Sequence, residues 1–447
     1  MNGILCRTKR RTILSCGKPL PVHVVGTAAL NIYSRRLEKS WTFSKSLVPP
    51  SSNRHFSTRI SDMSSTDMEP LVRQIHDSPT RLVLSFSGGG SETLSALLSV
   101  PGASRTVLEA VVPYSQQALC RWLAGRPDQF CSARTARAMA MSGFLRACEY
   151  ESPEGYPLVG VGATASLATD RRKRGAHRIH LAVQTVNQTV VQSLELTKGR
   201  RTRPEEEAIA SALILNLIAE VCGIQDRIPI AVEDGEVVQR QEKTAPPAWS
   251  DLLLGKTEAI LHDEPVGTRK LSRALFSGAF NPIHLGHEEM VRVASQILGT
   301  DVDHEVSILN VDKPPLDYIE IGERIDQFGP DANVWLSRAP TFVEKSRLFP
   351  AVTFVVGIDT LRRVAAPRYY RGSEAACAKA IEEIASRGCR FLVFGRSIGG
   401  SFIRLSDLDL PAPLAAICRE VTESQFRQDI SSTEIRRQQR LSGKISE

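Results

Sequence analysis

The 447-residue sequence has no apolar run long enough to cross a bilayer. The longest such run, residues 212–224, contains Asn216 and Glu220, whereas a membrane-spanning helix needs about 20 apolar residues. Its nine cysteines include no Cys-x-x-Cys pair, and without a secretory signal they are interpreted as reduced, mostly buried thiols. The sequence therefore favours neither a membrane protein nor a protein-bound metal cluster.

Acidic residues are almost missing from the first sixty positions, where Glu38 accompanies eleven Lys or Arg. The remaining residues contain 45 basic and 48 acidic side chains, so the net charge of +7 gives no reason to expect a nucleic-acid partner for the folded part. An Arg- and Ser-rich leader is typical of an organelle transit peptide. We predict that residues 1–62 are a disordered leader for a mitochondrion or plastid, with the mitochondrion preferred. The alternative is a cytoplasmic protein translated from Met63.

Alternating apolar runs and helical stretches in the rest of the chain predict two α/β domains. The first spans residues 63–233 and the second 271–447, and the polar segment 234–270 is predicted to be a linker with one short helix. In the second domain strands and helices alternate, which favours a Rossmann-like, doubly wound parallel sheet. The strands predicted for that sheet are 273–280, 305–311, 334–336, 352–356 and 390–394.

A phosphate-binding pattern follows the first predicted strand of the second domain. The loop Gly278–His287 reads Gly-Ala-Phe-Asn-Pro-Ile-His-Leu-Gly-His. His284 and His287 stand at the start of a predicted helix, whose N-terminus favours an anion, and both can face one phosphate. Gly286 has no side chain, so a nucleotide can lie close to its backbone. Two surface histidines in a chance loop are the alternative, but the strand before and the helix after the loop favour nucleotide binding.

A second segment rich in hydroxyl groups, Ile430–Arg436, lies near the C-terminus. Ser431 followed by Glu434 is a capping-box pattern, so one interpretation is a well-capped terminal helix. The same helix start would place the hydroxyls of residues 431–433 and free amides around a phosphate, with Arg436 one turn later. Both interpretations can hold together.

These segments resemble the nicotinamide or nicotinate mononucleotide adenylyltransferase family over residues 273–438. The resemblance consists of the Gly-x-Phe-Asn-Pro-x-His-x-Gly-His loop and the Ile-Ser-Ser-Thr-x-Ile-Arg signature. Between them, Gly357–Leu361 is similar to the family's Gly-Ala-Asp-x-Leu element, with Ile358 in place of alanine, and residues 340–345 are similar to its Pro-Ser-Tyr-Thr segment. The Ser-Ser-Thr form separates this family from the cholinephosphate and pantetheine-phosphate relatives, which share only His-x-Gly-His.

The resemblance implies a nucleotidylyltransferase of the His-x-Gly-His type that acts in NAD biosynthesis. The 5′-phosphate of a pyridine mononucleotide would attack the α-phosphorus of ATP and release pyrophosphate, with Mg²⁺ bridging phosphate oxygens. The catalytic residues that it implies bind ATP phosphates and are His284, His287 and Arg436. The nucleotide-binding residues that it implies are Gly278, Phe280, Asn281, Gly286, Gly357, Asp359, Ser431, Ser432 and Thr433. The expected partners are small-molecule nucleotides, not nucleic acid or membrane.

Two other residues of the second domain have open interpretations. Lys313 follows the second predicted strand and is either a phosphate contact or a solvated surface lysine. Trp335 either stacks on a nicotinamide ring or is a partly buried core residue, and the core interpretation is favoured.

The segment 84–185 resembles the C-terminal domain of the competence-damage protein CinA, a family that includes nicotinamide mononucleotide amidases. The resemblance lies in Ser87–Ser91, Val100–Ser104, Val112–Ala118 and Gly160–Ser166. It implies a nucleophilic role for Ser87. The family's lysine is replaced by Leu119, however, and a serine is a poor nucleophile without a base or cation to activate it.

Two interpretations of the first domain follow from this loss. Ser87 and Tyr114 form either a vestigial amidase site in a retained fold, which is favoured, or an active site with a rearranged base. The retained fold could bind a pyridine nucleotide, form a homo-oligomer, or do both. For the whole chain, the alternatives to pyridine-nucleotide adenylyl transfer are a cytidylyl or adenylyl transferase for another phosphorylated substrate and a nucleotide-binding regulator with little turnover.

Overall fold

The structure is a computed structural model that describes residues 65–170, 174–262, 272–311, 315–398 and 401–427. The chain divides into two units, Met1–Thr58 and Arg59–Glu447, and every described residue belongs to the second unit. The predicted leader, Lys313 and the predicted site residues Ser431, Ser432, Thr433 and Arg436 lie outside the described residues.

The first half of the described chain forms a six-stranded mixed sheet. Its strands are β1 Arg81–Ser87, β2 Val107–Val111, β3 Leu158–Ser166, β4 His177–Gln184, β5 Gln188–Leu196 and β6 Gln239–Thr244. Their order is β2-β1-β3-β4-β5-β6. β1 pairs in parallel with β2 and β3, and the other pairs are antiparallel. The helices of this half are α1 Ser65–Asp77, α2 Ser91–Ser99, α3 Gln116–Trp122, α4 Ala133–Tyr150 and α5 Arg203–Val221.

The two faces of this sheet are covered by different helices. Leu82 and Leu84 of β1 share a core with α1, α2 and α5, whereas Val83 packs with α4, because successive side chains of a strand point to opposite faces. α4 lies unusually close to β3. A Cβ atom at Gly160 would be 2.0 Å from the carbonyl oxygen of Ala140, so only glycine fits there.

The second half forms a seven-stranded sheet and a separate hairpin. The sheet strands are β7 Ala259–Leu261, β8 Ala274–Ser277, β9 Val302–Ser307, β10 Val334–Ser337, β11 Thr353–Gly357, β12 Arg390–Phe394 and β15 Cys418–Val421, and the hairpin strands are β13 Arg396–Ile398 and β14 Ser401–Ile403. The sheet order is β15-β12-β11-β8-β9-β10-β7. The helices are α6 Pro247–Leu253, α7 Leu285–Leu298, α8 Tyr318–Ile325, α9 Phe342–Leu348, α10 Ile358–Val364, α11 Glu374–Ser386 and α12 Ala412–Ala415.

This order confirms the predicted doubly wound sheet. From β8 the chain moves to β9 and β10 on one side, and then to β11, β12 and β15 on the other. All of these strands are parallel and only β7, at the edge, is antiparallel. In such sheets ligands bind beyond the carboxyl ends of the strands at the place where the strand order reverses, which is called the switch point. That point lies between β8 and β11, which lead into the loop Gly278–His287 and the segment Gly357–Leu361.

Two predictions about secondary structure need correction. The segment 234–270 was predicted to be a linker, but its described part contributes β6 to the first sheet and β7 to the second, with α6 between them. The strand predicted at 305–311 is β9, Val302–Ser307. The start was missed because Asp303 makes the sequence there polar, although this side chain is buried and accepts hydrogen bonds from Ser272, Asn333 and Trp335.

A continuous hydrophobic core joins the two sheets. Phe144 and Leu158 of the first half belong to one cluster with Trp249 and Tyr318 of the second. The Tyr318 hydroxyl donates to the carbonyl oxygen of Val186 at 2.5 Å. The two halves therefore share buried apolar surface.

Candidate functional site

The loop between β8 and α7 is bonded to side chains of α8 and of the turn that follows it. Arg324 donates from Nη1 to the carbonyl oxygen of Ala279 at 2.7 Å. Gln327 donates to the carbonyl oxygen of Phe280 at 3.2 Å and accepts the amide of Ile283 at 2.8 Å. Two polar side chains thus determine the path of the loop ahead of the histidines.

The side chain of Phe280 packs into the hydrophobic core beneath the loop. Its side chain is only 2% exposed, and its φ of 40° lies in the left-handed region, which non-glycine residues adopt at a cost. A Cβ at Gly278 would lie 2.7 Å from this ring. The Phe280 side chain lies inside the core, and the missing side chain of Gly278 makes room for it. Nucleotide binding by these two residues stays a prediction.

The two histidines stack at the N-terminus of α7. Their ring centroids are 3.7 Å apart, with 21° between the ring planes. The backbone amide of His284 donates to Nδ1 of His287 at 3.3 Å. Since Nδ1 of His287 accepts this bond, its proton is assigned to Nε2. The sequence motif therefore produces a paired arrangement with an N–H group of His287 available to an anion.

Burial makes both imidazoles neutral at physiological pH. Burial lowers the pKa of His287 to about 3, and the neighbouring charges of His284 and His304 act in the same direction. Burial also lowers the pKa of His284. A neutral imidazole still has one N–H donor, so each histidine can bond a phosphate oxygen without carrying charge.

Buried polar atoms at this end of the sheet lack partners. Among the described residues, neither Nδ1 of His284 nor the hydroxyl of Ser277, the last residue of β8, has a hydrogen-bond partner. A buried polar group without a partner costs about 1–3 kcal/mol. These atoms are therefore candidates for hydrogen bonds to a ligand.

The carboxyl end of β11 supplies the other side of the switch point. Gly357 is the N-cap of α10, and a Cβ added to it would meet nothing within 4 Å, so the space beside it is open. Asp359 pairs with Arg396 of β13, and both side chains are 43% exposed. Ile358 stands where the adenylyltransferase family that this segment resembles has alanine. It is fully buried, so its larger side chain lies in the core and not in the open space beside Gly357.

The remaining described members of the predicted set have less distinctive positions. Gly286 is buried in the first turn of α7. Asn281 lines a cavity of about 220 Å³ together with Gln327 and Arg324.

Three residues in this region were not predicted from the sequence. Arg324 and Gln327 bond the loop only through its backbone, so no motif reveals them. His304 of β9 is 8% exposed, and burial lowers its pKa to about 4. Its ring centroid lies 5.5 Å from that of Phe280, and its Nδ1 has no partner among the described residues.

Trp335 has structural contacts in β10. Its indole N–H donates to Asp303 at 3.0 Å, and its ring meets Phe349 edge-on with centroids 5.5 Å apart. These contacts agree with the favoured interpretation of a partly buried core residue.

In the first half, Ser87 is the last residue of β1 and pairs with Thr164 of β3. Tyr114 is 67% exposed in the turn before α3. Leu119, at the position of the family's lysine, is buried at 2% exposure, so it belongs to the core under α3.

The loop after Ser87 is bonded to the start of α5. Glu207 accepts both the amide of Ser91 at 2.5 Å and its hydroxyl at 2.8 Å. Arg203 donates to the carbonyl oxygen of Gly88 at 2.8 Å.

Within the described ranges no group of three or more His, Cys, Asp or Glu is arranged to hold a metal ion. In the same residues, no helix is both long and apolar enough to cross a bilayer.

Together, the sheet order and the paired histidines define a Rossmann-like α/β fold with a candidate site at the switch point. Residues 275–438 match the family model described as cytidylyltransferase-like. This is a family of nucleotidyltransferases, so the C-terminal half is a transferase domain.

Solved structures similar to part of the chain are competence-damage proteins. The Agrobacterium tumefaciens protein CihA is 21% identical over 35% of this chain and 95% of its own, with a TM-score of 0.29. A CinA superfamily protein from Klebsiella pneumoniae is 14% identical over 36% and 97%, with a TM-score of 0.29. One from Enterobacter cloacae is 16% identical over 39% and 99%, also with a TM-score of 0.29. No curated protein matches the chain.

Proposed function

We propose that the C-terminal half transfers the adenylyl group of ATP to nicotinamide or nicotinate mononucleotide, giving a dinucleotide and pyrophosphate in NAD biosynthesis. One observation carries this proposal: the stacked pair His284 and His287 at the start of α7, beside the switch point of the sheet. The choice of a pyridine acceptor rests on the signature Ile430–Arg436, which lies outside the described residues.

The reaction needs placement and charge stabilisation rather than a base. An oxygen of the ionised 5′-phosphate forms a bond to the α-phosphorus of ATP, while the bond from that phosphorus to the pyrophosphate oxygen breaks. In the proposal, Nε2–H of His287 and a ring N–H of His284 donate to phosphate oxygens, and the α7 N-terminus favours their negative charge. Mg²⁺ accompanying ATP would neutralise phosphate charge. Arg436, Ser431 and Ser432 are proposed to bind the outer phosphates.

The test incubates residues 63–447 with ATP or CTP and a panel of phosphorylated acceptors, and it measures pyrophosphate. We expect release only with ATP and a pyridine mononucleotide, and the comparison of the two mononucleotides identifies the acceptor. Release only with CTP, or with no pyridine acceptor, would instead support a transferase for another phosphorylated substrate. No release with any pair would support a nucleotide-binding regulator.

For the N-terminal half we propose a retained amidase-like fold without amidase activity. The support is chemical: Leu119, in place of the activating lysine, is apolar and buried, and it cannot activate Ser87. We expect the chain to release no ammonia from nicotinamide mononucleotide. Ammonia release that Ser87→Ala abolishes would show instead that the site works with a rearranged base. Light scattering on the purified chain tests the predicted homo-oligomer.

We also propose that residues 1–62 direct the chain to an organelle, because this segment is rich in Arg and Ser and nearly free of acids. A fluorescent protein fused behind these residues should enter mitochondria. Entry into plastids would identify the plastid as the target organelle. A signal spread through the cytoplasm would favour translation from Met63.

A further inference from the structure

The histidine loop is connected to the N-terminal half by a chain of charged side chains. Its first link is Arg324, which donates to the carbonyl oxygen of Ala279 at 2.7 Å. Arg324 also donates from Nη2 to Glu320, one turn earlier on α8, at 2.5 Å. Both side chains are largely buried, with exposed fractions of 6% and 10%. The orientation of Arg324 therefore depends on where Glu320 is placed.

Glu320 is bonded in turn to the other half of the molecule. The same carboxylate oxygen accepts from Nη2 of Arg134 in the first turn of α4. Although burial opposes ionisation, the charges of Arg134, Arg324 and Arg137 lower the pKa of Glu320. The carboxylate therefore remains charged at physiological pH and can pair with arginines from both halves.

A second ion pair stabilises the start of α8. Arg137, one turn after Arg134, donates from Nε to Asp317 at 3.0 Å, and both side chains are at most 7% exposed. Asp317 is the N-cap of α8 and accepts the amide of Glu320 at 3.0 Å. Two successive turns of α4 thus bind two positions of α8.

A cavity of about 220 Å³ lies beside this polar path. Its lining includes Arg134, Glu320 and Arg324 together with Asn281 and Pro282 of the loop. The charged side chains therefore border the same cavity as the histidine loop.

We infer that Arg134 is a positioning residue for the transferase loop, acting through Glu320 and Arg324 on the carbonyl of Ala279. The N-terminal half is thereby part of the transferase and sets the geometry of its histidines. The kinetic part of this inference rests on the proposed function. The structural part does not.

The test compares three variants of the full chain. Arg134→Ala removes the link, and Arg134→Lys retains a cation at the same place. Arg146→Ala is the matched control, because Arg146 lies on the same helix, has a side-chain exposure of 43% against 42% for Arg134, and pairs with Glu109 of its own sheet. Hydrogen exchange of the backbone amides of residues 278–281, 283 and 284 is measured in each.

We expect Arg134→Ala to raise exchange in this loop by about 2- to 30-fold, the range for changes along a coupled network. Arg134→Lys should recover part of the protection, and Arg146→Ala should match the wild type. Unchanged loop exchange in Arg134→Ala would overturn the inference, as would an equal increase in Arg146→Ala.

Kinetics supply a second, separate readout. Turnover of Arg134→Ala should fall by about 2- to 30-fold with little change in the KM for ATP, because misplaced histidines lose contacts made in the transition state. Adding Arg134→Ala to Arg324→Ala should cause no further loss, since both act on one path. A fully additive loss would contradict this path. If the wild type transfers no nucleotide, the proposed function fails, and the exchange result still decides the inference.

Discussion

At the scale of single residues, His287 combines contacts that determine its chemistry. The amide of His284 donates to its Nδ1, and its ring meets Phe280 edge-on with centroids 5.3 Å apart. Its tautomer and ring plane are thus determined before any ligand binds. A preorganised donor stabilises developing charge more effectively than one that must reorient.

Replacing His287 should therefore remove a large share of the proposed activity. We expect His287→Ala to lower turnover by about two to four orders of magnitude, the effect of losing a preorganised donor. Pyrophosphate release measures the change. Glu289→Ala is the control on the same helix, because among the described residues Glu289 pairs with the exposed Arg292 of α7 alone. Turnover close to wild type in His287→Ala would refute the assigned role.

The buried histidines also predict how stability depends on pH. Burial lowers the pKa of His287 to about 3 and those of His180 and His304 to about 4, whereas the unfolded chain keeps the ordinary value of 6.5. Below pH 6.5 the unfolded state binds protons that the folded state does not. The free energy of unfolding should therefore decrease as pH falls from about 6.5 to about 4.

Urea unfolding at several pH values measures this dependence. In His304→Asn the decrease should be shallower, because one of the contributing imidazoles is gone. A free energy of unfolding that stays constant between pH 7 and pH 5 would show that these histidines bind protons in the folded state too.

At the scale of elements, the contact between β3 and α4 leaves no space for a side chain at the glycines of β3. A Cβ at Gly162 would lie 2.3 Å from the carbonyl oxygen of Ala136 and 2.5 Å from the amide of Ala140. α4 also carries Arg134 and Arg137, so its distance from the sheet determines where these arginines meet α8. The two glycines of β3 thus influence a contact made on the other side of the helix.

Gly162→Ala should destabilise the fold, because the helix must move away from the strand. We expect a loss of at least about 1–3 kcal/mol in the free energy of unfolding, the usual cost of overpacking. Gly329→Ala is the control, since a Cβ there meets nothing within 4 Å and its effect should be small. Equal stability of the two variants in thermal unfolding would contradict the close approach.

At the scale of the whole described molecule, the two sheets share one hydrophobic core. Tyr318 is fully buried and stacks on Trp249 with centroids 6.3 Å apart, while its hydroxyl bonds Val186 of the first half. β6 and β7, on either side of α6, belong to different sheets. Separating the halves would expose this surface and break the buried pair of Arg137 and Asp317.

Calorimetry of residues 63–447 should therefore show one cooperative unfolding transition, because separating the halves would expose the hydrophobic cluster that they share. Circular dichroism and tryptophan fluorescence should give the same midpoint. Two resolved transitions would show that the halves unfold independently, and they would also weaken the proposed link from α4 to the loop.

The sequence by itself determined the doubly wound sheet and the position of the histidine pair. Both follow from local rules, since strand–helix alternation favours a parallel sheet and glycine with histidine at a helix start favours an anion. The predicted ends of some elements also agree with the structure, as for β12, Arg390–Phe394. Sequence could not show that Phe280 turns inward, because its ring packs against His304 and Phe328, which are distant from it in the chain.

Only the tertiary structure decided the role of the segment 234–270 and the link between the halves. β6 is polar and mostly exposed, so its sequence lacks the alternating apolar residues that would predict a strand paired with β5. Arg134, Glu320 and Arg324 look like ordinary surface charges in the sequence, because a charged side chain shows no sign of its partner until the fold brings them together. Their mutual contacts and the burial of Glu320 and Arg324, not their residue types, give them a role beside the histidine loop.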